Sequence, residues 1–429
     1  MSNREPPIPL AVKTSINPNA SHLSPLSPSS TLTPPLTPTT PNDNPASTGG
    51  QNAPKQQMPV LKVLDDGKIE GDRTKLQKRG LLPLEFTYDL ELQRDMGGNL
   101  IEYGSGAWSV VYSATSRWIP ATQDSPPTPP PRRASTPPST SLLAVKSPVR
   151  RDAHSILRAE ARLLSRLSRI PGAEHHIVPF HGFISSSHSL VLSALPLSLS
   201  AYISSQAVSA RQVFSTKTMF DPVLGMPRWL RLTRELVSGL EWLHSCGQIV
   251  HGDIKPQNIL LRPRKYDGGG DGATEDPFPY EPLYVDFTSS YDPSTVELSP
   301  QGPSPSLSAL TPPFAAPELL TVQSLKCTDV VQSKGSDVFS LAATLLAAVT
   351  GDLLLYPGSS NMQRLAMSRE GHRVLDHVRS GVHGSRLPVG GIVERILSPA
   401  VVKDPENRIK PADWLQMIDD VIAAEDLRK

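Results

Sequence analysis

Cysteine is nearly missing from this chain: Cys246 and Cys327 are the only two among 429 residues. So few thiols exclude a disulfide framework and fit a reducing compartment. Neither charge sign prevails, because 42 Lys and Arg meet 41 Asp and Glu and leave a net charge of +1. Without a basic face, the chain lacks the footprint of a nucleic-acid or membrane-surface binder. Long hydrophobic runs are missing too. The longest nearly apolar stretch, Leu341–Val349, falls far short of a bilayer span. The opening Met1-Ser2-Asn3-Arg4-Glu5-Pro6-Pro7 holds no apolar core for a signal peptide. These absences lead us to expect a soluble chain of the cell interior, cytoplasmic or nuclear.

What the chain does have is proline, 45 residues gathered largely in a few tracts. Residues 1–60 are Pro, Ser, Thr and Asn with few large apolar side chains, too few to offset chain entropy. They are expected to form a disordered tail, with 61–81 as a linker. Residues 82–118 show short β-rich runs, Leu84-Glu85-Phe86-Thr87-Tyr88 and Trp108-Ser109-Val110-Val111-Tyr112, with a glycine turn between Gly97 and Gly106. A second proline tract over 120–140 reads as an extended surface insertion before strand character resumes at Leu142–Lys146. Ile156, Leu157, Leu163, Leu164 and Leu167 make one stripe of a helix over 152–168. Short strands are expected at 177–183 and 189–195, then a long amphipathic helix from about Pro227 to Gly247. A Gly- and acid-rich insertion occupies 262–282, and further helices are expected over 336–349 and 389–427. Strands first and helices after predict an α+β fold with a cleft between a β-rich and a helical lobe.

The chemistry concentrates in His251-Gly252-Asp253-Ile254-Lys255-Pro256-Gln257-Asn258, followed later by Val285-Asp286-Phe287. Phosphoryl transfer from a nucleotide needs a carboxylate to take a hydroxyl proton, a cation near the moving phosphoryl group and oxygen ligands for magnesium. Taken singly, Asp253 and Asn258 could be turn formers. Upstream, Gly104-Ser105-Gly106-Ala107-Trp108-Ser109-Val110-Val111 is a turn between strands, where glycines let backbone amides approach phosphate oxygens. An ordinary hairpin turn would read the same way. Lys146 ends an apolar strand, as many surface lysines do. Glu160, however, falls on the apolar stripe of its helix, where a carboxylate is costly unless paired with a cation. Lys146 is the candidate partner, and a neighbourly arrangement with Arg158 is the duller account.

The joint pattern resembles the eukaryotic-type protein kinases, and the lysine two residues after Asp253 resembles their serine/threonine-specific branch. The resemblance implies a two-lobed kinase fold over 82–425, with a small lobe at about 82–195 and a larger one at about 196–425. It implies that Asp253 orients or deprotonates the hydroxyl, that Lys255 neutralises the γ-phosphate, and that Asn258 and Asp286 bind magnesium. Lys146, held by Glu160, would meet the α- and β-phosphates of ATP. Gly104, Ser105, Gly106, Ala107, Trp108 and Ser109 would cover the nucleotide, with Val111, Ala144, Leu192, Leu195 and Leu260 lining its pocket and 193–195 offering backbone hydrogen bonds. Thr311 would contact the catalytic acid and lysine, Ala316-Pro317-Glu318 would close the activation segment, Arg408 would pair with Glu318, and Asp337 would support the catalytic-loop backbone.

Three positions depart from the family pattern: Ser109 for the third loop glycine, Gly252 for the arginine before the acid, and Thr288 for the glycine of D-F-G. The arginine often pairs with a phosphorylated activation loop, so Gly252 argues against switching by that route. Thr288 limits backbone freedom after the metal ligand. The implied activity is ATP- and Mg2+-dependent phosphorylation of Ser or Thr in protein substrates. The alternative is a weak or inactive pseudokinase serving as an ATP-binding scaffold, with a small-molecule kinase third. Ser24, Ser27, Thr33, Thr37 and Thr40 each precede proline, and Arg132-Arg133-Ala134-Ser135 suits a basophilic kinase, so other kinases are candidate partners. A solvated tail that merely contains such pairs is the bland reading. The Ser-rich stretch 289–304 could be an autoinhibitory, phosphorylated or simply flexible loop.

Overall fold

A computed structural model describes residues 82–116, 141–213, 215–264, 278–296, 310–321, 324, 332–358 and 360–427. The tail and linker, the 120–140 tract with its Arg132–Ser135 motif, and most of the Ser-rich stretch lie outside the described residues.

The chain opens with β1 (Leu90–Leu92), β2 (Glu102–Ser105), β3 (Ser109–Ser116) and β4 (Ser141–Pro148), then helix α1 (Ala153–Leu167), β5 (Phe180–Ile184) and β6 (Ser189–Ser193). The strands form one antiparallel sheet in the order β1-β3-β4-β6-β5, and β2 also pairs with β3. Period-two alternation gives the sheet two faces. Leu143 and Val145 join Phe86, Ala114 and Val191 on one face, while Ala144 and Leu192 join the main core on the other. Register follows: Val111 lies opposite Lys146, and Ala144 opposite Leu192. The run 84–88 is not a regular strand. Glu85 alone bridges to Phe183, and the Leu84 N–H is taken by the Ser165 hydroxyl at 2.7 Å.

Helix α1 buries Leu157, Glu160, Ala161, Leu164 and Leu167 against the sheet. Pro171 and left-handed Gly172 follow it and prevent continuation. The later chain is mainly helical: α2 (Leu199–Gln212), α3 (Met226–Ser245), the β7–β8 hairpin (Ile259–Pro263 with Tyr280–Tyr284), α4 (Lys334–Thr350), α5 (Asn361–Arg369), α6 (Val374–Arg379), α7 (Ile392–Leu397) and α8 (Pro411–Asp426). The protein is therefore α+β, as its order of patterns predicts. Among the described residues no helix is long and apolar enough to cross a membrane.

Helix α4 is buried on every side from Ser336 to Thr350, as an all-round apolar helix must be. A reciprocal Ser333–Ser336 capping box starts it and left-handed Gly351 ends it. Trp229 on α3 donates its indole N–H to the Leu345 carbonyl at 3.0 Å, joining the two central helices. The β7–β8 ladder runs from Ile259–Tyr284 to Pro263–Tyr280. Both ends of the expected 262–282 insertion are thus ladder residues, and only 265–277 lie beyond the described hairpin. Tyr284 anchors this hairpin by donating to the Leu236 carbonyl of α3 at 2.8 Å. Gly239 admits that ring, since a Cβ there would stand 2.7 Å from it.

Candidate active site

Lys146 reaches its partner because β4 and α1 present them to the same interior. Its Nζ donates to both Glu160 oxygens at 2.8 Å and to Asp286 Oδ1 at 2.7 Å. Lys146 and Glu160 are almost fully buried. Burial works against the ammonium, yet the Asp286 and Glu160 carboxylates outweigh it and hold the lysine above its ordinary range. Burial likewise pushes the Asp286 carboxyl up, but Lys146 and the Thr288 hydroxyl prevail and keep it well below the usual carboxylate range. Glu160 also accepts the Phe287 N–H at 3.0 Å, so α1 holds the lysine and the backbone after Asp286 together. The Arg158 alternative is not what forms.

Asp253, Lys255 and Asn258 occupy the loop between α3 and β7. Lys255 Nζ donates to Asp253 Oδ2 at 2.7 Å and to Thr311 Oγ1 at 3.1 Å. Asn258 Nδ2 donates to the Asp253 carbonyl and to its Oδ2, both at 2.9 Å. Burial pushes the Asp253 carboxyl up to about 6 despite the opposing Lys255 charge. The hairpin brings this loop to Asp286: the Val285 N–H donates to the Asn258 carbonyl at 3.0 Å, and the Asp286 charge contributes to raising Asp253.

The loop backbone hangs on Asp337, from the first turn of α4. Its carboxylate accepts the His251 N–H at 2.7 Å, the Gly252 N–H at 2.9 Å and the His244 ring at 3.0 Å. Arg408 donates to both Glu318 oxygens at 2.8 and 2.7 Å, and further to the carbonyls of Gly335 and Val402.

The glycine strand lies at the open side of the sheet. Gly104, Ser105, Gly106 and Ala107 are exposed, and Gly106 N–H closes the turn onto the Ser109 carbonyl at 2.8 Å. A Cβ at Gly104 would meet nothing within 4 Å, and one at Gly106 only the Ser109 carbonyl at 4.0 Å. What these glycines keep clear is space outside the fold rather than room within it. Trp108, Val111, Leu195 and Leu260 are half-buried against the main core beside buried Ala144 and Leu192. Of the backbone run 193–195, Ser193 and Ala194 donate their N–H groups to the Pro179 and Leu142 carbonyls, so Leu195 alone of the three could still offer one.

For magnesium, the chemistry of the donors fits. Asp286 offers a second carboxylate oxygen and Asn258 an amide oxygen, both hard ligands, to which such an ion adds water and phosphate oxygens. Among the described residues no three His, Cys, Asp or Glu side chains cluster as a self-sufficient cage.

Sequence reasoning missed several contributors. His244 supports Asp337, and nothing marks it beyond its place at the end of an amphipathic helix. Arg150 stacks 4.5 Å over the Trp108 ring and pairs with Asp152 at 2.8 Å, tying the glycine-loop tip to the start of α1. Ser290 donates to the His251 carbonyl at 2.8 Å. The family model described as "Protein kinase domain" matches residues 139–417, beginning downstream of the glycine strand. No curated protein matches the chain.

Proposed function

Because this chain belongs to the protein kinase domain family, we propose that it transfers the γ-phosphoryl group of ATP, with Mg2+, to Ser or Thr hydroxyls of protein substrates. The observation that carries this reading is Lys255, whose ammonium bridges the Asp253 carboxylate and the Thr311 hydroxyl. That bridge sets a carboxylate and a cation side by side next to Thr311, as transfer to a hydroxyl would need. The Ser/Thr preference follows from Lys255 and Thr311 together.

Asp253 orients the substrate hydroxyl and takes its proton. Its raised carboxyl, about 6, suits proton transfer near neutral pH. Asn258 and Lys255 hold the Asp253 carboxylate in place, and Lys255 also balances charge on the transferring group. Lys146 holds the α- and β-phosphates, steadied by Glu160. Asp286 and Asn258 would hold Mg2+, which supplies charge neutralisation across the phosphates. The strand of Gly104 to Ser109 covers the phosphates, and Val111, Ala144, Leu192, Leu195 and Leu260 enclose the adenine. The catalytic unit spans 82–425, preceded by a tail at 1–60 and a linker at 61–81.

The test compares wild type with Asp253→Asn in transferring labelled phosphate from Mg-ATP to Ser/Thr and Tyr peptides. Wild type is expected to label Ser/Thr peptides, and the variant to fall by about 10²–10⁴-fold. Equal background labelling by both would favour the scaffold reading instead.

A further inference from the structure

Thr288 and Gly252 look like independent departures, yet the structure ties them to one carboxylate. Asp286 has φ 65°, in the left-handed region, one of four non-glycine residues so placed among those described. Its Oδ1 accepts from two donors, Lys146 Nζ at 2.7 Å and Thr288 Oγ1 at 2.8 Å. With Lys146 alone, the carboxylate could rotate and exchange its oxygens. A second donor from two residues along the chain commits Oδ1 to the protein and frees Oδ2 for a cation.

Thr288 and Ser289 are the central residues of a turn closed by the Ser290 N–H on the Phe287 carbonyl at 3.1 Å. The Ser289 carbonyl of that turn lies where a side chain at 252 would begin: a Cβ there would stand 2.7 Å from it, and Gly252 has φ 79°. Ser290 and Tyr291 then fasten the turn, through the His251 carbonyl and the Val250–Tyr291 backbone pair. A side chain at 252 would push Ser289 away, and Thr288 with it.

We infer that Thr288 is a positioning residue that orients the Asp286 carboxylate for the metal, and that Gly252 is the space this arrangement requires. The inference rests on the phosphoryl-transfer reading above. It makes the two departures a matched pair.

The test uses the full chain. Calorimetry measures binding of a non-hydrolysable ATP analogue as Mg2+ is varied, beside transfer kinetics and the melting temperature of the ligand-free protein. Thr288→Val keeps the shape and removes only the hydroxyl. It should raise the Mg2+ concentration for half-maximal analogue binding by about tenfold and lower kcat comparably, with peptide KM unchanged and ligand-free melting lowered only slightly. Thr288→Ser should stay close to wild type. Gly252→Ala should reproduce the valine defect, and the double variant should fall well short of the product of the two losses. Unaltered Mg2+ dependence in Thr288→Val, or an equal defect in Thr288→Ser, would overturn the inference while leaving the kinase reading intact. Wild type that neither binds the Mg2+–analogue complex nor transfers phosphate would remove that reading, and the inference with it.

Discussion

Lys146 and Arg408 are both buried cations bonded to carboxylates, yet one arrangement is closed and the other is open. Arg408 spends its donors on both Glu318 oxygens and two backbone carbonyls, and its guanidinium lies 5.2 Å from the Phe339 ring centroid. Charge there is balanced one to one. Lys146 instead faces two acids, and Asp286 keeps 36% of its side chain exposed. That cluster shares one cation between two carboxyl groups, and Asp286 is its exposed corner. A closed pair holds the frame, whereas an uncompensated one invites a ligand.

The strongest way to break this contrast is Lys146→Met. Transfer should fall by about 10²–10³-fold through the lost phosphate contact. Two carboxylates would then confront each other in the interior, lowering stability by roughly 3–5 kcal/mol. Adding Glu160→Gln should recover most of that stability in denaturant melts and none of the transfer. Recovery of both together would mean that Lys146 serves only the fold.

Glu318→Gln tests the other side. It leaves Arg408 buried without its counter-charge and should cost about 3 kcal/mol, with turnover per folded molecule barely changed. A turnover loss on the scale of Lys146→Met would erase the distinction between frame and site.

The smallest effect is a pH profile. Asp253 must be ionised to take a proton, and its carboxyl is pushed up to about 6. The rate should therefore fall as pH drops through that value, by about tenfold per unit well below it. Lys255 opposes the upward push, so Lys255→Met should move the midpoint higher. A flat profile between pH 5 and about 7 would remove Asp253 as the proton acceptor.

Much of the site is legible along the chain because a charged residue on an apolar stripe has to be explained. Glu160 among Leu157, Leu163 and Leu164 demands a cation, and Lys146 supplies it. Helix α2 is harder to see: its buried Leu199, Tyr202, Ile203 and Ala207 are diluted by four serines, so no stripe stands out. Helix α5 buries only Ser368 and carries no periodic signal at all. The run Leu84–Tyr88 shows the opposite error, since its alternation suggests a strand although it crosses the sheet edge with a single bridge. Gly252 reads in sequence as a lost cation. Only the fold reveals the backbone carbonyl that occupies the place of its side chain.

The β7–β8 ladder separates two lengths that sequence counts as one. Asn258 and Asp286 stand at the base of a hairpin zipped through five residue pairs, so whatever chain is spliced in at its far end alters closure entropy only slowly and leaves the spacing of these two residues untouched. The far end of that ladder is where this chain can carry a reporter, a tether or a recognition module of arbitrary size without disturbing Asn258 and Asp286.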